Sequence, residues 1–453
     1  MNNFKPLPPA GTTDAETVAG PDAMHAAQLA SLLKQFDAFQ WLSGEDIIKR
    51  QYASLAMLAA HAARTSPYFR QRLENAGMTA TDLASPEGLS RLPLLTRHEL
   101  QTAQGVHSQE VPMAHLPLAE AKSSGSTGQP VVIKKTALNQ LIWDANMMRE
   151  HSWHKRDFSG RILTIRATTT APVRQEGWGN PVDLLYPSGP LLGVPVTYSA
   201  QKIIDSMLEF KPQHVVIYPN TLEAIVSLCE KERIAIAGIE HIWSIGETLK
   251  PKLRQRASAL FGASIEDDYS SQETGIMALQ CPLSGLYHVM AESIILEVLD
   301  DKGKACREGD IGKIVVTDLY NYATPMIRYD IGDYAEVGGI CPCGRGLPTL
   351  KCIKGRSRNL AVKPDGSRHW PPLSLAILRS GVQIRQFQIV QHSLEKIEAR
   401  LVPEKPLSEA EEQSLVKSLQ NALDYPFSIH FTYFNERIPL AANGKFEDFI
   451  SHV

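Results

Sequence analysis

Residues 268–275 read Asp-Tyr-Ser-Ser-Gln-Glu-Thr-Gly and follow a short β-prone run. The octapeptide sets an aromatic face, several hydroxyls and a carboxylate within one turn of chain. Tyr269 can lie against a purine ring, and Glu273 can hold a Mg²⁺ ion that screens triphosphate oxygens, with Asp268 and Ser270 on either side of the ring. Standing alone, the segment reads equally well as a polar turn after a strand. Its meaning depends on what surrounds it.

Upstream, Ser123, Ser124, Gly125, Ser126, Thr127 and Gly128 form a hydroxyl and glycine cluster, with Lys134 and Lys135 close behind. Glycine permits close backbone approach, so such a loop can wrap phosphates with its N–H groups. Its glycines are too close together for a Walker A loop, which disfavours a P-loop nucleotidase. Downstream, Ile327-Arg328-Tyr329-Asp330-Ile331-Gly332-Asp333 puts Asp333 after a glycine turn, where a carboxylate can accept both ribose hydroxyls. Gly355-Arg356-Ser357-Arg358 follows as a hinge carrying a cation for phosphate or ribose. Near the C-terminus, Asn443-Gly444-Lys445-Phe446 places a lysine on a glycine turn, a point charge suited to bridging a carboxylate oxygen and an α-phosphate. Each of these motifs has a bland counterpart: a surface loop, a salt-bridged turn, an exposed tail lysine.

Patterning between the motifs sets the architecture. From about residue 22 to 76 the apolar spacing is helical, with Gly77 as a stop. Between about 120 and 355, β-prone runs such as RILTIRAT, HVVIYP, HIWSIGET, SIILEVLD and GKIVVTDL alternate with helical stretches such as SAQKIIDSMLEF. The last hundred residues read strand, strand, helix, strand, the helix opened by a Ser408/Glu411 capping box. The expectation is an α/β protein with a loose arm over 1–20, a large domain over 21–355 that includes the helical lead-in, and a small mobile α+β domain over 356–453.

The whole-chain balance narrows the classes. Of 453 residues, 43% are hydrophobic and 21% charged, an ordinary globular composition. A net charge of −3 and a pI near 6.5 offer no basic surplus for nucleic acid or an anionic membrane. No run approaches the roughly 18 apolar residues of a membrane span, and the first residues lack a basic start followed by an apolar core. A cytoplasmic protein with a small-molecule partner is expected.

Taken jointly, the five motifs resemble the adenylate-forming superfamily in order and spacing. SSGSTGQPVV, YSSQETG, PMIRYDIGDYA, CPCGRGLP and IKGRSRN further resemble its phenylacetate-CoA ligase and capsular-polysaccharide-associated branch, over roughly residues 55–453. The resemblance implies a large multi-subdomain body with a small C-terminal domain. It also implies an ATP-dependent, AMP-forming ligase that adenylates a carboxylic acid and passes the acyl group to a thiol. Loop 123–128 would hold the β and γ phosphates, Gly246 and Glu247 would lie near adenine, and Tyr269 would stack on it. Glu273 would bind Mg²⁺, Asp333 the ribose, Arg356 ribose or phosphate, and Lys445 would drive adenylation. The acid pocket would lie near Trp143, Trp178, Tyr218, Ser244 and Gly275, whose aromatic content favours an aryl acid.

Cys281, His288, Cys341 and Cys343 add a closed tetrahedral set for structural Zn²⁺, with Cys352 as a substitute ligand. The resemblance implies zinc here, since some members of the branch carry it on matching residues. Two departures bear on the acceptor. Ser357-Arg358-Asn359 stands where many relatives have an acidic pair, and VKPDGSRHWPP lacks the Arg-Gly-type stretch associated with coenzyme A ligases of this branch. Coenzyme A is the expected acceptor, with a carrier-protein thiol, an amine or a hydroxyl as alternatives. A homodimer is in keeping with the relatives. The rival of another class is a degenerate, non-catalytic nucleotide-binding protein.

Overall fold

The computed structural model describes residues 21–122, 131–356, 359–369, 371, 373–439 and 446–453. The expected loose arm, the phosphate loop 123–128 and Lys445 therefore lie outside the described residues.

The lead-in consists of helices Pro21–Phe39, Gly44–Thr65 and Pro67–Asn75. Ser43 opens the second by accepting the Asp46 N–H at 3.1 Å. Ser66 both ends that helix, through its own N–H to the Ala62 carbonyl, and caps the next by accepting from Phe69, with Pro67 fixing the first turn. Leu55, Leu58, Ala59 and Ala62 recur at helical spacing and are fully buried, packed with Phe69 and Leu73 against Ile295, Leu319 and Ile327 of the body. No described helix is long and apolar enough to cross a membrane.

One twelve-stranded sheet organises the body. Its parallel half comprises Leu191–Pro195, Ile162–Arg166, His214–Ile217, His241–Ser244 and Ser264–Ser271, with Val173–Gln175 as an antiparallel edge. Residues 214–217 are all buried, as befits a strand covered on both faces. Helices Ala200–Phe210, Pro219–Glu232 and Pro251–Phe261 supply the cover. The antiparallel half runs through Gly275–Gln280, Tyr287–Val289, Thr349–Arg356, Tyr329–Val337, Ile311–Asp318 and Ile294–Leu299.

Strand Ser264–Ser271 joins the halves. Residues 264–267 pair in parallel with 241–244, and residues 268–271 pair antiparallel with 275–279. Strand Thr349–Arg356 is still part of the large sheet, with Arg356 opposite Asp333.

The small domain is a four-stranded mixed sheet, ordered Ser428–Tyr433, Lys396–Pro403, Ile384–Gln391, Phe449–Ser451. Helices Leu373–Ser380 and Glu409–Leu423 pack on it. Ser408 and Glu411 close the expected capping box, with the Ser408 N–H donating to Glu411 at 2.9 Å and the Glu411 N–H returning to Ser408 Oγ at 3.3 Å. Along 396–403 buried and more exposed positions largely alternate, which turns Ile397, Ala399 and Leu401 toward Leu415, Leu419 and Leu423.

Leu419 is fully buried at the centre of this layer. Leu419→Ala is expected to destabilise the small domain by about 2–5 kcal/mol through lost burial and a residual cavity. Denaturant unfolding followed at the domain's own signals checks this, and a loss well under 1 kcal/mol would contradict the packing described.

Candidate active site

In a parallel sheet, side chains at the carboxyl ends of the strands converge on a common edge. Tyr218 follows strand 214–217, and Ser244, Gly246 and Glu247 close or follow strand 241–244. Gly246 has φ +73°, a left-handed turn that a side chain would strain. On the seam strand, Tyr269 is buried and donates its hydroxyl to Asp333 Oδ2 at 2.8 Å. Burial, reinforced by Asp333, pushes the Tyr269 hydroxyl well above its usual range, so it stays a donor. Arg356 lies with Nε 3.5 Å from Asp333 Oδ1. Tyr269, Asp333 and Arg356 thus form one linked group across the two sheet halves, while Ser270 sits beside Ile276 in the seam hairpin.

Glu273 is buried at the tip of that hairpin and pairs with Arg97 at 3.2 Å. Arg97 is placed by a bridge further back: the Leu95 N–H donates to the Arg328 carbonyl at 2.7 Å, and the Asp330 N–H returns to the Leu95 carbonyl at 2.9 Å. Arg328 holds a left-handed φ of +57° while its guanidinium grips Glu297 and the carbonyls of Ser90 and Leu92. Sequence reading missed Arg97, because its partner lies 176 residues away.

Strands Leu118–Lys122 and Val132–Thr136, on either side in sequence of the expected phosphate loop, form a hairpin whose register ends at Lys122 opposite Val132. Thr324 anchors the second strand, accepting from the Lys134 N–H at 3.0 Å and donating to the Lys134 carbonyl at 3.1 Å.

The small domain meets the body beside Glu247. The Phe446 N–H donates to Glu247 Oε1 at 2.8 Å, the other carboxylate oxygen accepts from the Asn220 N–H at 2.9 Å, and Lys250 pairs with Asp448. Phe446 is the residue that follows Lys445.

Of the residues expected in the acid pocket, Trp143 and Gly275 border one small cavity. Gly275 has φ +86°, and a Cβ there would sit 3.5 Å from the Trp143 ring. Tyr218 and Ser244 lie at the strand ends instead. Trp178 goes elsewhere: its indole N–H donates to the Gly160 carbonyl at 2.8 Å, and its ring stands edge-on to His151, Phe158 and His214. It is a core residue, because the chain after Gly177 folds back onto helix Ala137–Trp153 and not into the cleft. Four polar residues of the cavity, Asn139, Asn146, Ser293 and Asp318, were not anticipated.

The four expected zinc ligands come together. Their ligand atoms all lie within 4.8 Å of one another, with Cys341 Sγ 3.6 Å from Cys281 Sγ and Cys343 Sγ 3.2 Å from His288 Nε2. Two thiolates each about 2.3 Å from a tetrahedral ion stand about 3.7 Å apart, so the donor set fits zinc. Burial lowers the His288 imidazole to about 4, which keeps it neutral as a ligand must be. Cys352 lies apart, 3.6 Å from Glu336. The cluster fastens the segment after strand 275–280 to the loop before strand 349–356.

Comparison with known proteins agrees with this layout. Residues 372–452 match the CapK C-terminal domain family. Phenylacetate-coenzyme A ligase of Thermus thermophilus is 22% identical over 336 residues, 71% of this chain and 73% of its own. Protein CapK of Staphylococcus aureus is 24% identical over 252 residues, 53% of each chain. A 2-hydroxyisobutyryl-CoA ligase in the postadenylation state shares the fold over 91% of both chains, with a TM-score of 0.70 at 17% identity. The same enzyme in its thioesterification state gives 0.59. By its motifs, its fold and these relatives, the chain is similar to the adenylate-forming ligases, and in particular to their phenylacetate-CoA ligase-like branch.

Proposed function

We propose that the protein adenylates a carboxylic acid with ATP, releases pyrophosphate, and passes the acyl group to the thiol of coenzyme A. The observation that carries this is the convergence at one sheet edge of the Tyr269–Asp333–Arg356 group, the Glu273–Arg97 pair and the Phe446 contact to Glu247. A nucleotide needs an aromatic platform, an acceptor for ribose hydroxyls and cations for phosphate, and these groups supply all three. The relatives support the reading: one is a phenylacetate-coenzyme A ligase, and a protein of the same fold was solved in complex with R3-HIB-AMP.

In the first half-reaction a carboxylate oxygen of the acid attacks the α-phosphorus, and the bond to pyrophosphate breaks. Tyr269 offers its ring to adenine, Asp333 accepts from ribose, Arg356 faces ribose or phosphate, and loop 123–128 wraps the β and γ phosphates. Glu273 is the residue to hold Mg²⁺, which when bound screens phosphate charge. Lys445 neutralises charge building between carboxylate and α-phosphate. In the second half-reaction the thiol attacks the acyl carbon and AMP leaves, the small domain having turned about the segment after Gly355. Asn359 ties that segment to Glu447 at 2.9 Å, so a turn there moves the Lys445 segment with it. The same departure, Asn359 in place of an acidic residue, keeps a carrier-protein thiol, an amine or a hydroxyl in view as acceptor. The aryl acid suggested by the aromatic residues retains Trp143 alone at the cavity.

Lys445→Ala is expected to cut carboxylate-dependent pyrophosphate release by about 100- to 1000-fold, the scale of losing one transition-state charge partner, while ATP binding changes little. Substantial adenylation by the variant would refute the role. For the cysteine cluster, the purified protein is expected to carry one zinc per chain, held by Cys281, His288, Cys341 and Cys343. Chelation or Cys343→Ser should lower the melting temperature, with added zinc restoring the chelated protein. Substoichiometric zinc with an unchanged melting temperature would count against a structural ion.

A further inference from the structure

The cavity beside Gly275 lies two residues along the chain from Glu273, and it is lined by Lys135, Asn139, Trp143, Asn146, Gly275 and Asp318, among others. Its volume is about 20 Å³. A single water needs about 10–15 Å³ on this measure, so the space admits one or two heavy atoms and no ring. Trp143 closes the side toward Gly275.

One buried polar atom beside this space lacks a partner. Asn146 is 1% exposed, and its Oδ1 has no hydrogen-bond partner among the described residues. Asp318 is 4% exposed and is held by the chain: its Oδ1 accepts the Tyr320 N–H at 3.0 Å, its carboxylate also accepts from the Asn321 backbone, and Asn139 approaches its Oδ2 at 3.5 Å. Lys135 makes no ion pair among the described residues, although Asp318 and Glu273 both act on it electrostatically. Burial lowers the Lys135 ammonium and raises the Asp318 carboxyl to about 6, which marks both as desolvated. A buried acceptor left without a partner is costly, so the free Asn146 Oδ1, with the Lys135 ammonium lining the same space, points to a ligand group that is absent from the fold itself.

We infer that the acyl site takes a short hydroxy acid, whose hydroxyl donates to Asn146 Oδ1 and accepts from Lys135. A hydroxyl is the small group that both donates and accepts. A second carboxylate would face Asp318, an ammonium would face Lys135, and a plain alkyl tail would leave the buried acceptor unmet. This deepens the proposed adenylation and rests on it.

The test is pyrophosphate release by the full chain with ATP and Mg²⁺, using lactate against propionate and 3-hydroxybutyrate against butyrate, with succinate, β-alanine and phenylacetate as further arms. At least one hydroxy acid is expected to exceed its deoxy partner in kcat/KM by about 100-fold or more, since a site built to bond a hydroxyl rejects analogues that lack it. Lys135→Met and Asn146→Leu, each checked by melting curve for retained fold, are expected to reduce that ratio about tenfold or more. A deoxy acid, the diacid, the amino acid or phenylacetate matching the best hydroxy acid would overturn the inference and leave adenylation standing. An unchanged ratio in both folded variants would overturn it as well. Pyrophosphate release with none of the acids, while ATP still binds, would bring down the adenylation reading and this inference with it.

Discussion

The strand Ser264–Ser271 is the constraint on which the rest of the molecule depends. It pairs in parallel over its first half and antiparallel over its second, so it must present bonding groups to two different sheet geometries. It also carries three consecutive acids, Glu266, Asp267 and Asp268, through the interior. Buried carboxylates are tolerable only with partners, and the partners come from both sides. Glu266 meets His241 at 2.8 Å and Arg156 at 3.5 Å, and Arg156 in turn meets Glu150 at 3.0 Å. Asp267 accepts the Tyr287 hydroxyl at 2.6 Å, and burial still raises it to about 6. The seam is therefore locked by polar contacts reaching into the parallel half, the antiparallel half and the helix Ala137–Trp153.

From that lock the site follows. Tyr269 emerges where the pairing changes sense, and its hydroxyl finds Asp333 on a strand of the antiparallel half that is not its neighbour in the sheet. The hairpin beyond it delivers Glu273 and Gly275. The cysteine and histidine cluster lies at the far ends of the same antiparallel strands, so a metal bound there would act on the site by holding the sheet that carries Asp333 and Arg356. Among the described residues, the small domain touches this frame through the Phe446 N–H to Glu247 and the Lys250–Asp448 pair.

Much of this was legible in the sequence, for stated reasons. Periodicity gave away the lead-in helices and the alternating body, and the Ser408/Glu411 pair marked a helix start through local hydrogen bonding that needs no tertiary context. The cysteine and histidine cluster was legible through the crowding of thiols in a short span together with the resemblance to relatives that carry matching residues. Two kinds of information were not local. One was the pairing of Arg97 with Glu273, which depends on a β-bridge between Leu95 and Tyr329. The other was the fate of Trp178, whose aromatic character suits a pocket or a core equally and is decided by the Gly160 carbonyl that takes its N–H.

The cavity residues illustrate the same limit from the other side. Asn146 sits on the buried face of helix Ala137–Trp153 with Ile142 and Ala145, among other buried polar residues such as Asp144, Arg149 and Glu150, so its segment does not single it out. Asp318 ends a run of buried β-branched residues, and Lys135 precedes the Thr136 cap of the helix. None of the three stands out in its own segment. Only the fold brings the three to one space, and only there does the pattern become chemical: a buried cation and a buried carboxyl beside an amide oxygen, Asn146 Oδ1, that has no hydrogen-bond partner among the described residues. A pocket that selected its acid by apolar area alone would have no use for them. Selection by a hydrogen-bonding group has, since the polar atoms then penalise every acid that cannot complete them.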